Sequence, residues 1–300
     1  MDMAIIGAGP AGMTAGLYGA RAGLSTCMFE ALAFGGQLAQ TSELQNYPGF
    51  VQEGSGFQLA MDMKKQAEGF GAKEISEGVV SVDLACDPKI IRTSAGEYEA
   101  RTVIVATGSR PRLLGVPGEE ELRGRGVSYC ATCDGFFFRG KDVVVVGGGD
   151  TAAADALYLS RICNKVILVH RRDKLRASHS YATQLQTAEN VEYRWNSVVD
   201  AFTGESMLSG AVVRDLVTGE SETLAVSGAF VAVGTVPNTE FLAGAVQLNE
   251  AGYIVTDENG ATSVPGVFAA GDVRAKTLRQ VTTAVGDGAT AATAAVEYLF

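Results

Sequence analysis

The strongest constraint on this chain is that it carries one folding unit twice. Asp2 to Glu30 reads DMAIIGAGPAGMTAGLYGARAGLSTCMFE, and Asp142 to His170 reads DVVVVGGGDTAAADALYLSRICNKVILVH, an ungapped offset of 140 residues. Asp2/Asp142, Gly7/Gly147, Gly9/Gly149, Leu17/Leu157 and Tyr18/Tyr158 coincide, and Gly12 falls opposite Ala152. Each copy is an apolar run, a glycine turn, a helical stretch of small and apolar residues, and a second apolar run. That is a βαβ unit with a dinucleotide fingerprint. The first glycine makes the tight turn, and the second admits a pyrophosphate. The third position, Gly or Ala, lets helix and strand pack closely. The phosphates then meet the helix N-terminus, where free N–H groups and the dipole favour anions.

The residue ending the second strand separates the two copies. Glu30 lies 18 residues after Gly12, where a carboxylate accepts hydrogen bonds from a ribose diol. His170 lies at the same register in the second copy and is followed by Arg171, Arg172 and Arg176. Guanidinium groups there bind a 2′-phosphate that an acid would repel. The first site therefore reads as one for FAD or NAD, and the second as one for NADP.

Two further landmarks are single. TVIVATG (Thr102 to Gly108) is a short strand ending in small residues, and GVFAAGD (Gly266 to Asp272) is another, ending in Gly271 and an acid. An ionised Asp272 at a strand end only accepts hydrogen bonds, which suits a polyol such as a ribityl chain. Residues 280–299 read as a helix whose N-terminus could stabilise negative charge on a flavin. GVFAAGD has no complete βαβ of its own and most simply completes the first domain. The expected architecture is α/β with two Rossmann-like domains. A discontinuous FAD domain (1–111 and 238–300) would hold an inserted NADPH domain (112–237), with two short proline-containing crossings between them.

Composition narrows the function. Apolar residues make up 47% of the 300, enough for sizeable cores, and no run is long enough to span a membrane. The net charge of −10 disfavours nucleic-acid binding. The start of the chain enters an apolar strand without a basic segment, which points to a cytoplasmic protein. Five cysteines at irregular spacing do not form a secreted disulfide framework. Only Cys130 and Cys133 are close. Their CxxC spacing places two sulfurs within disulfide reach, and a helix N-terminus there would favour a thiolate. Asp134 could move a proton to the leaving thiol. Zinc would need a second ligand pair that the sequence lacks, so no metal is expected. Cys27 and Cys163 fall inside the βαβ patterns as core residues, while Cys86 has no assigned role.

With GAGPAG, GGQLAQTSELQNYPGF, ATGS, CATCDGFFF, GGGDTA, HRRDKLRAS, GTVPN and GVFAAGDVR…RQ on the page, the chain resembles the low-molecular-weight thioredoxin reductases over essentially its whole length. CATCD directly ahead of GGGDTA is the most diagnostic stretch. The resemblance implies FAD contacts at Gly7, Gly9, Pro10, Ala11, Gly12, Glu30, Gly36, Gln37, Leu38, Asn46, Asp272, Arg279, Gln280 and Val281. It implies NADPH contacts at Gly149, Asp150, Thr151, Ala152, His170, Arg171, Arg172 and Arg176. By the same resemblance Cys133 faces the flavin and Cys130 attacks the protein substrate, thioredoxin or a similar small dithiol protein. The family is homodimeric, and its NADPH domain rotates between two working positions. Two departures stand out: Gln45 and Ala154 occupy positions where the family often has acids. A ferredoxin-driven reductase or a dithiol oxidase of the same fold would keep CxxC and lose the arginine cluster. A nucleotide-binding redox sensor would bind without turnover.

Overall fold

A computed structural model describes residues 1–31, 34–40, 44, 46–50 and 55–300. The chain forms two compact units, Met1–Arg110 with Val236–Phe300, and Pro111–Thr235. The unit limits fall one residue before and two residues before the crossings read from the sequence.

The first unit opens with β1 (Met3–Ile6), α1 (Pro10–Arg21) and β2 (Thr26–Phe29), followed by α2 (Gly56–Gly69) and β3 (Lys73–Ile75). A three-stranded antiparallel layer comes next, made of β4 (Val79–Asp83), β5 (Lys89–Thr93) and β6 (Glu97–Ala100), and then β7 (Thr102–Val105). The chain leaves through β8 (Ser109–Pro111). The second unit holds β9 (Val127–Ser128), α3 (Ala131–Asp134), β10 (Asp142–Gly147), α4 (Asp150–Ser160), β11 (Lys165–Val169), α5 (His179–Gln186) and β12 (Val191–Arg194). Its antiparallel layer is β13 (Ser197–Thr203), β14 (Gly210–Asp215) and β15 (Ser221–Ala225), and β16 (Gly228–Ala232) follows. The return runs through β17 (Thr235–Pro237) to β18 (Val267–Ala269) and α6 (Val281–Leu299), which belong to the first unit.

Each unit is built on a five-stranded parallel sheet, ordered β18-β7-β1-β2-β3 in the first and β12-β11-β10-β16-β9 in the second. The central strands β1, β7, β10 and β11 are short, apolar and largely buried, as helix-covered parallel sheets require, while the edge strands β3 and β12 carry charged, half-buried residues. The repeat survives at the level of register. Met3 pairs with Thr26 in the first unit, and Val143 pairs with Val166 in the second, each partner displaced by the same 140 residues. Pro10 starts α1 directly after the Gly9 cap, where its missing N–H costs nothing. The GVFAAGD segment forms edge strand β18 of the first sheet, beside β7. The helix expected over 280–299 is α6, closed at its start by a capping box between Gln280 and Thr283.

The turn after β1 is the tightest point. Gly7 has φ +105°, a conformation that strains any residue with a Cβ. A Cβ on Gly12 would lie 1.8 Å from the Gly7 carbonyl oxygen, so α1 approaches β1 as closely as backbone allows. In the second unit Ala152 fills the matching place. The copies should therefore respond differently. Gly12→Ala should cost about 3 kcal/mol or more, since the obstacle is backbone that cannot give way. Ala152→Gly should cost only about 1 kcal/mol in helix propensity. Urea-unfolding midpoints of the two variants check this asymmetry.

Candidate active site

In the first unit the predicted contact residues converge on one cradle. Glu30, at the end of β2, accepts a hydrogen bond from the Ala8 N–H at 2.9 Å, which fixes its carboxylate beside the glycine turn. The Gly35 N–H donates to the Ala8 carbonyl at 2.9 Å, so the short 3₁₀ turn Gly36–Gln40 is tied to the same place. A Cβ on Gly36 would sit 3.5 Å from the Gly9 Cα, which puts the two backbones side by side. Leu38 is buried, and the Gln37 side-chain amide donates to the Ser109 carbonyl. Asn46 donates to the Gln280 side-chain oxygen at 3.1 Å, bringing it to the start of α6 beside Val281. Gly271 lies against Ala11, with an added Cβ 2.8 Å from that of Ala11. Arg279 reaches the Asp272 carbonyl at 3.4 Å, and its guanidinium covers the Tyr253 ring at 4.1 Å. Pro10 and Gly12 lie in the first turn of α1 behind the phosphate loop.

This cradle leaves both room and a buried acceptor for a dinucleotide. Apart from its own chain neighbours, no described residue lies within 4 Å of the place a Gly9 Cβ would take, so the turn is open on the side where a pyrophosphate would approach. Asp272 Oδ1 is buried and makes no hydrogen bond among the described residues. A buried acceptor left in that state is costly unless a donor arrives from elsewhere. Burial pushes the Asp272 carboxyl up, opposed by the positive charges of Lys276 and Arg279.

The second unit repeats the cradle with different chemistry. The Gly149 position is likewise open to within 4 Å, and Asp150, Thr151 and Ala152 form the first turn of α4 beyond Gly147. Asp150 accepts a hydrogen bond from the Ser178 N–H at 2.7 Å, and the Arg176 N–H donates to the Gly148 carbonyl at 2.7 Å. The basic segment is thereby folded back onto the glycine turn. His170 is 4% exposed. Its ring occupies the space a Gly148 side chain would need and meets Trp195 edge-on, with centroids 6.3 Å apart. His170 Nε2 has no partner among the described residues. Burial first, and then the charges of Arg176, Arg172 and Arg171, hold its pKa below the ordinary imidazole value, which favours the neutral ring. Arg171, Arg172 and Arg176 are exposed and form no ion pair among the described residues. Three uncompensated guanidinium groups beside an orphaned imidazole nitrogen fit a nucleotide with an additional phosphate.

Cys130 and Cys133 are joined by a disulfide with an S–S distance of 2.10 Å. Cys130 caps α3, and its carbonyl accepts from the N–H groups of Cys133 and Asp134 at 3.2 and 3.1 Å. Ser128 links the neighbouring groups. Its hydroxyl donates to Asp134 Oδ2 at 2.6 Å and accepts from the Cys130 N–H at 3.1 Å. Burial raises the Asp134 pKa and the Ser128 hydrogen bond opposes it, with burial the larger effect. Asp134 thus holds a proton more readily than a solvated carboxyl, as a donor to a leaving thiolate must. Phe136 and Phe137, just beyond, are exposed.

Several functional contacts escape sequence reading. Glu119 is 1% exposed and accepts from the Leu114 and Gly115 N–H groups and from the Tyr129 hydroxyl, the last at 3.0 Å. It therefore holds the residue next to Cys130. Burial and this carboxylate push the Tyr129 phenol well up. Lys276, in the segment after β18, stands 3.7 Å from Asp272. The four-residue spacing of the two in DVRAK was the available signal. Gln45 lies outside the described residues. Ala154 is half-buried on α4, and the acid beside it is Asp155.

Fold and site together define a disulfide oxidoreductase that uses a flavin and a nicotinamide nucleotide. The family model described as pyridine nucleotide-disulphide oxidoreductase matches residues 1–288. A thioredoxin reductase of Peptoclostridium acidaminophilum is 48% identical over 99% of this chain and 96% of its own. One from Streptomyces clavuligerus is 49% identical over 99% and 94%. The crystal structure of thioredoxin reductase from Streptococcus pyogenes superposes with a TM-score of 0.91 at 45% identity, covering 99% of this chain and 97% of the other. The chain belongs to the pyridine nucleotide-disulphide oxidoreductase family, among its thioredoxin reductases.

Asp155 supplies a test of the α4 environment. Burial alone raises its pKa from the ordinary carboxyl range to about 7. Ionising it in the fold therefore costs stability as pH rises from the unfolded value toward 7, and the cost is constant above that. At about 1.4 kcal/mol per unit, reduced for its partial exposure, Asp155→Asn should be more stable than wild type by about 2 kcal/mol at pH 8. The advantage should vanish near pH 4. Denaturant unfolding at the two pH values checks both sign and window.

Proposed function

We propose that the protein reduces the disulfide of thioredoxin or a similar small dithiol protein with electrons from NADPH. FAD is held by the first cradle and NADPH by the second. The observation that carries the reading is the Cys130–Cys133 disulfide, set beside a half-buried, hydrogen-bonded Asp134 in the unit that also holds the arginine-rich nucleotide turn. A bound flavin supplies two-electron chemistry that links a nicotinamide hydride to a disulfide.

The protein's own steps are thiol–disulfide exchange. In the reduced dithiol, the Cys130 thiolate attacks the substrate disulfide. A mixed disulfide forms and one substrate thiolate leaves. Cys133 then attacks the Cys130 sulfur, which releases the second substrate thiol and restores the Cys130–Cys133 bond. Asp134 holds the proton that a leaving thiolate needs. Phe136 and Phe137 offer an apolar contact surface at the dithiol for a protein partner. Glu30, Asp272 and the start of α6 hold the flavin nucleotide. His170 and the three arginines select NADPH. The family resemblance supports a cytoplasmic homodimer, and no helix among the described residues is long and apolar enough to cross a membrane.

Two experiments test this reading. Replacing Arg171 and Arg172 by Ala removes charge-assisted phosphate contacts worth about 1.5–3 kcal/mol each. The KM for NADPH should rise at least tenfold while that for NADH changes little. Equal effects on both nucleotides would remove the arginines from 2′-phosphate recognition. For the dithiol, Cys133→Ser should trap the oxidised protein substrate on Cys130 as a mixed disulfide, and Cys130→Ser should trap none. Both should lose turnover almost completely. Trapping by Cys130→Ser alone would reverse the two roles.

A further inference from the structure

The cluster behind Asp272 is centred on Lys276. Lys276 Nζ is 2.9 Å from Asp287 Oδ2 and donates to Thr283 Oγ1 at 3.2 Å, while Asp272 Oδ1 is 3.7 Å away. Asp287 is fixed in turn. Its Oδ1 accepts from Arg274 at 2.8 Å, and its Oδ2 accepts from the Gly271 N–H at 3.0 Å. Arg274 is locked by Thr256 Oγ1 at 2.9 Å and the Asp257 carbonyl at 3.0 Å. The side chains of Arg274, Lys276 and Asp287 are 13%, 14% and 17% exposed, so this is an interior network of alternating charge.

Two features give the network a direction. The ammonium group spends its short contacts on Asp287 and Thr283, and approaches Asp272 only to ion-pair range. Its charge therefore compensates the Asp272 carboxylate without occupying the lone pairs of Oδ1, the atom left with no hydrogen bond. Arg279 has its guanidinium over Tyr253 and, among the described residues, donates to the Asp272 main-chain carbonyl and the Arg274 carbonyl. A buried carboxylate that must stay ionised and keep a free acceptor needs a counter-ion held by other partners.

We propose that Lys276 is a positioning residue for the flavin: clamped by Asp287 and Thr283, it serves as the counter-ion of Asp272, so that Asp272 Oδ1 is presented as an anionic acceptor to a hydroxyl of the flavin's sugar-alcohol chain. Arg274 acts one step further back, by fixing Asp287. The inference rests on the flavin reading of the first cradle.

The test is FAD release from diluted holoprotein, followed by the rise of free-flavin fluorescence, in wild type, Lys276→Gln, Asp272→Asn and the double variant. Lys276→Gln keeps hydrogen-bonding capacity and drops the charge. It should raise the FAD Kd about tenfold, and Asp272→Asn should do the same. In the double variant the loss should match Asp272→Asn within about twofold, because no carboxylate remains to be compensated. Lys276→Arg should restore binding to within a few-fold of wild type. An unchanged Kd in Lys276→Gln would overturn the proposal. So would losses that multiply in the double variant, or a Lys276→Arg as weak as Lys276→Gln. Failure of both Lys276→Gln and Lys276→Met to fold would make the lysine structural and would equally overturn it. A folded wild type that takes up no FAD would overturn the flavin reading itself, a result distinct from flavin binding that is insensitive to Lys276.

Discussion

The approach of α1 to β1 over the Gly7 turn governs the first unit. With a Gly12 side chain excluded by the Gly7 carbonyl, the helix start is brought down onto the sheet edge where the strands end. Its unpaired N–H groups then face the open space above Gly9, and an anion there meets both the dipole and the hydrogen-bond donors. The surrounding parts are placed against this point. Glu30 grips the Ala8 N–H, Gly35 the Ala8 carbonyl, and Gly271 packs on Ala11. The second unit repeats the strand register but accommodates the Cβ of Ala152 where the first excludes one at Gly12.

The two cradles differ in how they treat charge, and that difference assigns their roles. The first presents the Asp272 carboxylate with Oδ1 buried and sets Lys276, held in place by Asp287, behind it. The second buries the imidazole of His170, with burial and the neighbouring arginines lowering its pKa, and leaves those arginines exposed and unpaired among the described residues. One site is prepared to accept hydrogen bonds from hydroxyls, and the other to bind an additional phosphate. Around the disulfide the polar groups are few. Ser128 satisfies Asp134, and Glu119 satisfies Tyr129, so the segment carrying Cys130 is held from two sides.

Much of this was legible in the sequence because it is written locally. Glycine spacing, apolar runs and the acid or histidine ending each second strand lie within about thirty residues of one another, and they gave both parallel cores and the helix α6. The Cys130–Cys133 pairing is local too. What stayed hidden depends on long-range packing. Asp287 meets Lys276 only because α6 lies beside the segment after β18, and the sequence presents these two as a helix residue and a loop residue. Glu119 looks like one acid among three in GEEEL, yet it is the one turned inward, which only the fold decides. Nor does the pattern announce that the His170 ring fills the space beside Gly148, since that contact depends on how the end of β11 packs against the glycine turn.

The central claim is that electrons from a nicotinamide nucleotide reach the Cys130–Cys133 bond within this one chain. It is tested most directly by counting thiols. The structure has one disulfide and three free cysteines, Cys27, Cys86 and Cys163. Purified flavoprotein treated anaerobically with excess NADPH, then acid-quenched and titrated with a thiol reagent in denaturant, should show five thiols per chain against three in the untreated protein. A count that stays at three while NADPH is consumed would contradict the account.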